Sequence, residues 1–343
     1  MGPAVVLVLV APIVAEVLFG PTGLSIIDSL LFEIPFYGAG ALLIREVVRR
    51  RPLGGVALLL LGVAFPIFEE FLVIQTSISP VRFAGAGGMF VYGRWSGVNW
   101  VYALWAVGYE SGWAIVLPIY TAELMFPDRR GEPWLSTRGL AVTGVRFGLG
   151  SLGSWAIYPL GVTPAALGHV YTPPVALVVG ALLAIAFLVA LALRSRIEAD
   201  RWVGRVKLRL APLPLGTVTF GLGALWFVLV AFAFDLLPAV PPILAFSLGA
   251  GLVAATVVLV APAALARDGP DRHRGAIVFG GLLAGMLLGF CASGVSGELN
   301  VAAKIVFDGV AVLGFVRRAQ HVWAREAARP SEPNGRAATA DPS

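Results

Sequence analysis

Phe65-Pro66-Ile67-Phe68-Glu69-Glu70-Phe71-Leu72-Val73-Ile74-Gln75 is the stretch on which the reading of this chain turns. Two adjacent carboxylates lie near the end of an apolar run that begins at Leu53. A run of that length predicts a helix that crosses a bilayer, which takes about 20 apolar residues. At mid-depth each ionised carboxylate costs at least ~2.5–3.5 kcal/mol. Side by side the two also repel, so the pair is expected to hold a proton near neutrality. Such a pair calls for partners from neighbouring segments at the same depth.

Outward from that stretch, the composition agrees with a membrane protein. The 343 residues are 58% hydrophobic and 13% charged, with mean hydropathy +0.86, where soluble chains run about 25% charged. Gly and Pro, at 41 and 24 residues, are both commoner in membrane helices than in soluble ones. The apolar runs are continuous, which excludes the alternation of a transmembrane β-barrel. The single cysteine, Cys291, excludes an intrachain disulfide. No basic leader or small-residue cleavage site precedes the first run, so it is expected to stay as a helix.

The runs predict ten spans, at about 3–20, 24–44, 53–75, 98–126, 139–160, 173–193, 214–237, 241–265, 275–294 and 299–316. The basic residues test this count. Of 25 Lys and Arg, 21 follow even-numbered spans. They form groups at Arg45–Arg51, Arg129–Arg138, Arg194–Arg209, Arg267–Arg274 and Arg317–Arg336. Cytoplasmic loops carry the Lys/Arg excess. The expectation is therefore an all-α, polytopic bundle of the cell (plasma) membrane with both termini in the cytoplasm. Its partner is the lipid bilayer. The net charge of +5 is read as an orientation signal and not as a nucleic-acid surface. Residues 1–160 form a half that carries the buried charges, 161–318 a mainly structural half, and 319–343 a disordered cytoplasmic tail. Outer connections are short, as at Gly20-Pro21-Thr22-Gly23, except for residues 76–97, which are long enough for a lid or an interfacial anchor.

Half of the 20 acids fall in spans or outer turns, where only Arg82 and Arg94 accompany them outside and Arg146 and Lys304 inside. At 1.5 Å per residue, Glu16, Glu33, Glu69, Glu70 and Glu110 all fall between the outer surface and the midplane. If spans 1–4 are neighbours, these acids line one cavity. Carboxylates at that depth without a basic partner must be protonated, solvated or bound to a cation. Glu69, Glu70 and Glu110 are the candidate catalytic groups. Glu16, Glu33, Arg94 and Asn99 are the candidates for binding a substrate or ion, with a divalent cation as the cofactor such a cluster could hold. On a helix Glu69 and Glu70 point about 100° apart, so one can face the cavity and the other a neighbouring helix. Lys304 and Asp308, four residues apart, are expected to pair, and Arg146 is placed to pair with Glu123. His169, His273 and His321 all lie outside the spans, which excludes a zinc helix of the His-x-x-x-His kind.

The Glu69-Glu70 helix resembles the CPBP (CAAX protease and bacteriocin-processing) intramembrane family, whose first motif is Glu-Glu-x-x-x-Arg. The resemblance covers residues 53–126 and implies that the paired glutamates activate a water for cleavage of a membrane peptide. The motif's arginine position is Ile74 here, its Phe-x-x-x-His is met only by Ala106-x-x-x-Glu110, and its last motif only by His169-Val170-Tyr171-Thr172-Pro173. Two functions stand side by side: an intramembrane hydrolase, and a proton- or cation-coupled carrier. In the carrier, Pro35, Pro66 and Pro118 would break helices beside the site, as in transporters.

Overall fold

The computed structural model describes residues 1–19, 31–51, 53–81, 91–195, 210–237, 239–265, 271–293 and 298–327. The turn at Gly20–Gly23, Gly85, Gly87 and Gly88 of the 76–97 loop, most of the basic stretch before 210 and the tail from 328 lie outside them. The chain is about 82% helical. Five helices are long and apolar enough to cross a membrane, and a shorter apolar helix covers Pro3–Leu18.

In chain order the first part comprises α1 (Pro3–Pro12) running into a π-helical segment π1 (Ile13–Leu18), then π2 (Ile34–Gly38) running into α2 (Ala39–Arg50). Next come α3 (Gly55–Phe68) running into π3 (Glu69–Val73), and α4 (Trp100–Tyr109), π4 (Glu110–Val116) and α5 (Leu117–Met125) as one continuous helix. Then α6 (Thr137–Ile157), π5 (Tyr158–Val162) and α7 (Thr163–Leu167) follow one another without a break. The second part is α-helical: α8 (Val175–Arg194), α9 (Pro212–Val230), α10 (Ala233–Leu236), α11 (Pro242–Leu259), α12 (Ala261–Leu265), α13 (Asp271–Ser293) and α14 (Glu298–Ala327).

The expectation that prolines break the helices is corrected. Pro12 precedes π1, Pro35 lies in π2, Pro66 stands three residues before π3, Pro118 two after π4, and Pro159 lies in π5. Proline lacks an N–H, and its ring crowds the carbonyl four residues back. Each helix nonetheless runs on past its proline, with a wider π turn beside it or around it. The Ile74 N–H, for instance, reaches the Glu69 carbonyl at 2.8 Å, five residues back.

Packing sorts the helices into centre and rim. The α3–π3 and α13 spans are each 56% buried, whereas α8 and α11 are 11% buried, so apolar surface on the latter faces outward. Close approaches run through small residues. A β-carbon at Gly150 of α6 would meet the backbone of Pro35 and Phe36, and one at Gly38 would meet Val8. Gly281 and Gly285 abut Leu117 and Phe19, as helix-packing glycines should. Gly144 and Gly148, read from their spacing as a packing pair, have nothing within 4 Å of a β-carbon and face away from the bundle.

One end of the bundle is closed by an ion-pair clasp. All five Arg45 N–H groups are used: Nε to Glu123 at 3.1 Å, and the two terminal nitrogens to Glu46 at 3.2 Å and to the carbonyls of Glu132, Arg130 and Arg129. Its guanidinium lies 3.2 Å over the Trp134 ring. Arg49 grips Glu123 through two bonds, at 2.8 and 2.7 Å, and Arg50 holds Glu46 at 3.1 Å. Glu123 thus pairs with Arg45 and Arg49, not with Arg146, which is exposed on α6. Arg45 and Arg49 reach Glu123 from the facing helix α2, and Arg146 points off the bundle.

Candidate functional site

Every π segment among the described residues carries an acid or a tyrosine of one cluster. Glu16 is in π1, Glu33 immediately precedes π2, Tyr37 is in π2, Glu69 and Glu70 open π3, Glu110 opens π4 and Tyr158 opens π5. Inserted π turns are frequent at functional sites because they rotate side chains off the regular helical stripe. Here α1 packs on π2, α6 on π2 and π3, and α3 on π4, so the segments converge.

The geometry of the cluster follows. The Tyr37 hydroxyl donates to Glu69 Oε1 at 2.6 Å and also stands near Glu16 and Glu110. Glu69 is within electrostatic range of Glu70, Glu16 and Glu33, and Glu110 of Glu69, Glu16 and Glu70. Tyr109 and Tyr158 adjoin the same carboxylates. The Tyr109 hydroxyl donates to the carbonyl of Ala15 in π1, the residue before Glu16. Glu69, Glu70 and Glu110 are buried, whereas Glu16 and Glu33 are half-buried and form the accessible side of the group.

The adjacent glutamates have divergent surroundings. Glu70 Oε2 accepts from the Thr76 hydroxyl, from the Ser77 N–H at 3.1 Å and from the Ser77 hydroxyl at 2.9 Å, and Tyr102 approaches Oε1 at 3.5 Å. Glu70 therefore anchors the segment that follows π3, where Gln75 takes a positive φ of 62° and ends the helix. Glu69 Oε2 and Glu110 Oε2 are buried and accept no hydrogen bond from the described residues. No ion pair among the described residues reaches Glu16, Glu69, Glu70 or Glu110. The only described lysine, Lys304, is buried on α14; it bonds the Val17 and Leu18 carbonyls at the end of π1 and pairs with Asp308 at 2.9 Å.

Arg94 and Asn99 stand apart from the cluster. They flank a two-residue hairpin, β1 (Arg94–Trp95) and β2 (Val98–Asn99), turned by Ser96 and Gly97 at φ 49° and 82°. The Arg94 guanidinium donates to the carbonyls of Ser79, Ile78 and Gly97, at 2.9, 2.6 and 3.0 Å. Asn99 accepts the Tyr102 N–H at 3.1 Å and caps α4. Both residues fix the fold of the loop. The described part of that loop is a plug: Thr76, Ser77, Ile78 and Ser79 are buried, and Tyr171 and Tyr92 tie it to the rim. His169 is exposed and remote, with Nδ1 against its own Leu167 carbonyl.

A divalent cation was the cofactor the carboxylates suggested. Although they interact with one another, no three His, Cys, Asp or Glu among the described residues are arranged to share a metal ion. The donor set as placed does not fit one.

Sequence reasoning missed Tyr37, Tyr109 and Tyr158. Their signal was present: Tyr37 is four residues after Glu33 and two after Pro35, and Tyr158 directly precedes Pro159. No protein-family model, curated protein or solved structure matches the chain.

Proposed function

We propose that the chain is a ten-span protein of the cell membrane with both termini in the cytoplasm, and that its carboxylate cluster takes up and releases protons in step with the passage of a solute. The observation that carries this reading is the pair of buried oxygens, Glu69 Oε2 and Glu110 Oε2, which find neither a donor nor a basic partner among the described residues. A buried carboxyl in that setting is stable carrying a proton and costly without one. A proton is also the cation that needs no three-ligand cage. Half-buried Glu16 and Glu33 supply the route between water and the buried pair, and the hydroxyls of Tyr37 and Tyr158 can relay it. The sorting of 21 basic residues to one side of the ten runs supports the topology.

The hydrolase implied by the CPBP resemblance is the second reading, and what favours it is that Glu69 and Glu70 are both buried and adjoin a tyrosine hydroxyl. Among the described residues no arginine or lysine pairs with Glu69 or Glu70 to serve as the group that stabilises the oxyanion. Arg94 and Asn99, the candidates for that role, are engaged in the loop.

Purified protein in liposomes with a trapped pH dye separates the two. Under an imposed pH gradient, a panel of solutes should include one that accelerates proton movement, and Glu69→Gln and Glu110→Gln should each abolish that acceleration. Solute-independent behaviour in wild type, together with cleavage of a membrane-peptide panel that both variants lose, would establish the hydrolase instead.

A further inference from the structure

Among the described residues one lysine is fully buried, Lys304 of α14, and its ammonium goes to backbone. It donates to the carbonyls of Val17, at 3.2 Å, and of Leu18. Its third partner is Asp308, one turn along α14, at 2.9 Å. Val17 and Leu18 are the last two residues of π1, the segment that carries Glu16. The final carbonyls of a helix have no N–H of their own helix to accept from. Inside a bilayer no water stands in for it. A cation is the donor that a helix C-terminus favours.

The neighbouring helices make room for this contact. Gly289 of α13 lies against the lysine stem. A β-carbon there would come within 2.9 Å of Lys304 Cε, 2.8 Å of the Leu18 carbonyl oxygen and 2.9 Å of that of Phe19. One turn away, Gly285 receives the Phe19 ring. That ring meets Tyr109 edge-on, with centroids 6.2 Å apart, and the Tyr109 hydroxyl holds the Ala15 carbonyl. The carbonyl before Glu16 and the two after it are therefore gripped by side-chain donors from two other helices. Fastening α14 to its neighbours would not by itself call for an ammonium. Membrane helices associate through small residues and close packing, and a buried charge in a bilayer is costly. Ile305, Val306, Phe307 and Val310, which follow Lys304, are exposed, so α14 makes little else of its contact with π1.

We propose that Lys304 is a positioning residue for proton uptake: with Tyr109 it fixes the end of π1 and so holds Glu16 in place at the accessible side of the cluster. The inference rests on the carrier reading above. Lys304 pairs with none of the cluster's acids and acts on Glu16 through the backbone of π1. Asp308 balances the charge that this requires.

The test uses the full chain in liposomes with a trapped pH dye and the same solute panel, and amide hydrogen exchange on the same preparations. Glu16→Gln and Lys304→Met should each slow solute-coupled proton movement several-fold, and Lys304→Met should also speed exchange over residues 13–19. The double variant should be no slower than Glu16→Gln alone, because both changes take the same group out of the route. Asp308→Asn leaves the ammonium on both carbonyls and should keep near-wild-type movement and exchange. Lys304→Arg guards against a folding failure in Lys304→Met. It keeps N–H groups within reach of the carbonyls, and its rate should lie between those of wild type and Glu16→Gln. Additive losses in the double variant, a loss in Asp308→Asn as large as in Lys304→Met, or exchange over residues 13–19 unchanged in Lys304→Met would each overturn the proposal. A wild type that moves no protons with any solute would remove the carrier reading instead, and exchange would still decide whether the lysine holds π1.

Discussion

Glu46 and Glu123 belong to the same class of buried carboxylate as Glu69 and Glu110, and the fold treats the two pairs in opposite ways. Glu123 and Glu110 even share one continuous helix, thirteen residues or about 20 Å apart. Glu46 accepts from Arg45, Arg50 and the N–H groups of Trp134 and Leu135, and Glu123 accepts from Arg45 and Arg49. At that end the protein supplies a fixed cation and a fixed donor for each oxygen. In the cluster it surrounds Glu69 and Glu110 with tyrosine and other acids, and one oxygen of each has no donor among the described residues. A charge settled by arginine is structural. One left without an arginine is what the proposed proton exchange would use.

The contrast can be broken at either end. Arg45→Met should have the largest effect on stability. It leaves Glu46 and Glu123 short of a buried partner, and breaking a buried pair costs about 3–5 kcal/mol, to be read from denaturant unfolding in micelles. Arg45→Lys should rescue only part, since an ammonium cannot reproduce a five-donor fork. Next comes Glu70→Leu, which strands the buried donors of Thr76 and Ser77 and should cost about 1–3 kcal/mol while freeing residues 76–79 to faster amide exchange. Glu69→Gln and Glu110→Gln should shift unfolding by less than ~1 kcal/mol, because a neutral amide replaces a protonated carboxyl of nearly the same shape, yet each should abolish solute-coupled proton movement. The smallest effect belongs to Gly144→Ala, within ~0.5 kcal/mol of wild type, whereas Gly150→Ala drives a methyl into the Phe36 backbone and should destabilise clearly. A large stability loss in Glu69→Gln would erase the distinction between the two kinds of carboxylate.

How much of this the sequence showed follows from what each signal depends on. Long apolar runs announce membrane-crossing helices because the bilayer imposes length and composition together, and five such helices are present. That Glu69 and Glu70 diverge followed from the helical angle alone. The split in their surroundings did not, because it depends on Gln75 turning the chain back so that Ser77 meets Glu70. The Arg146–Glu123 pairing failed because depth was legible and facing was not. Arg94 and Asn99 carried the right chemistry for a site, but a hairpin of two-residue strands, set by Ser96 and Gly97, spends it on the loop. The π segments were half-visible: the prolines flagged their neighbourhood, but not that each helix would widen and run on.

Labelling with a hydrophobic carbodiimide tests the central claim most directly, because the reagent reacts with a carboxyl that carries a proton and is reachable from the membrane. On the folded protein near neutral pH, peptide mapping should find the adduct on Glu69 or Glu110, less of it as the pH is raised, and none on Glu46 or Glu123. Equal labelling of both pairs, or none on Glu69 and Glu110 at any pH at which the protein stays folded, would contradict the account.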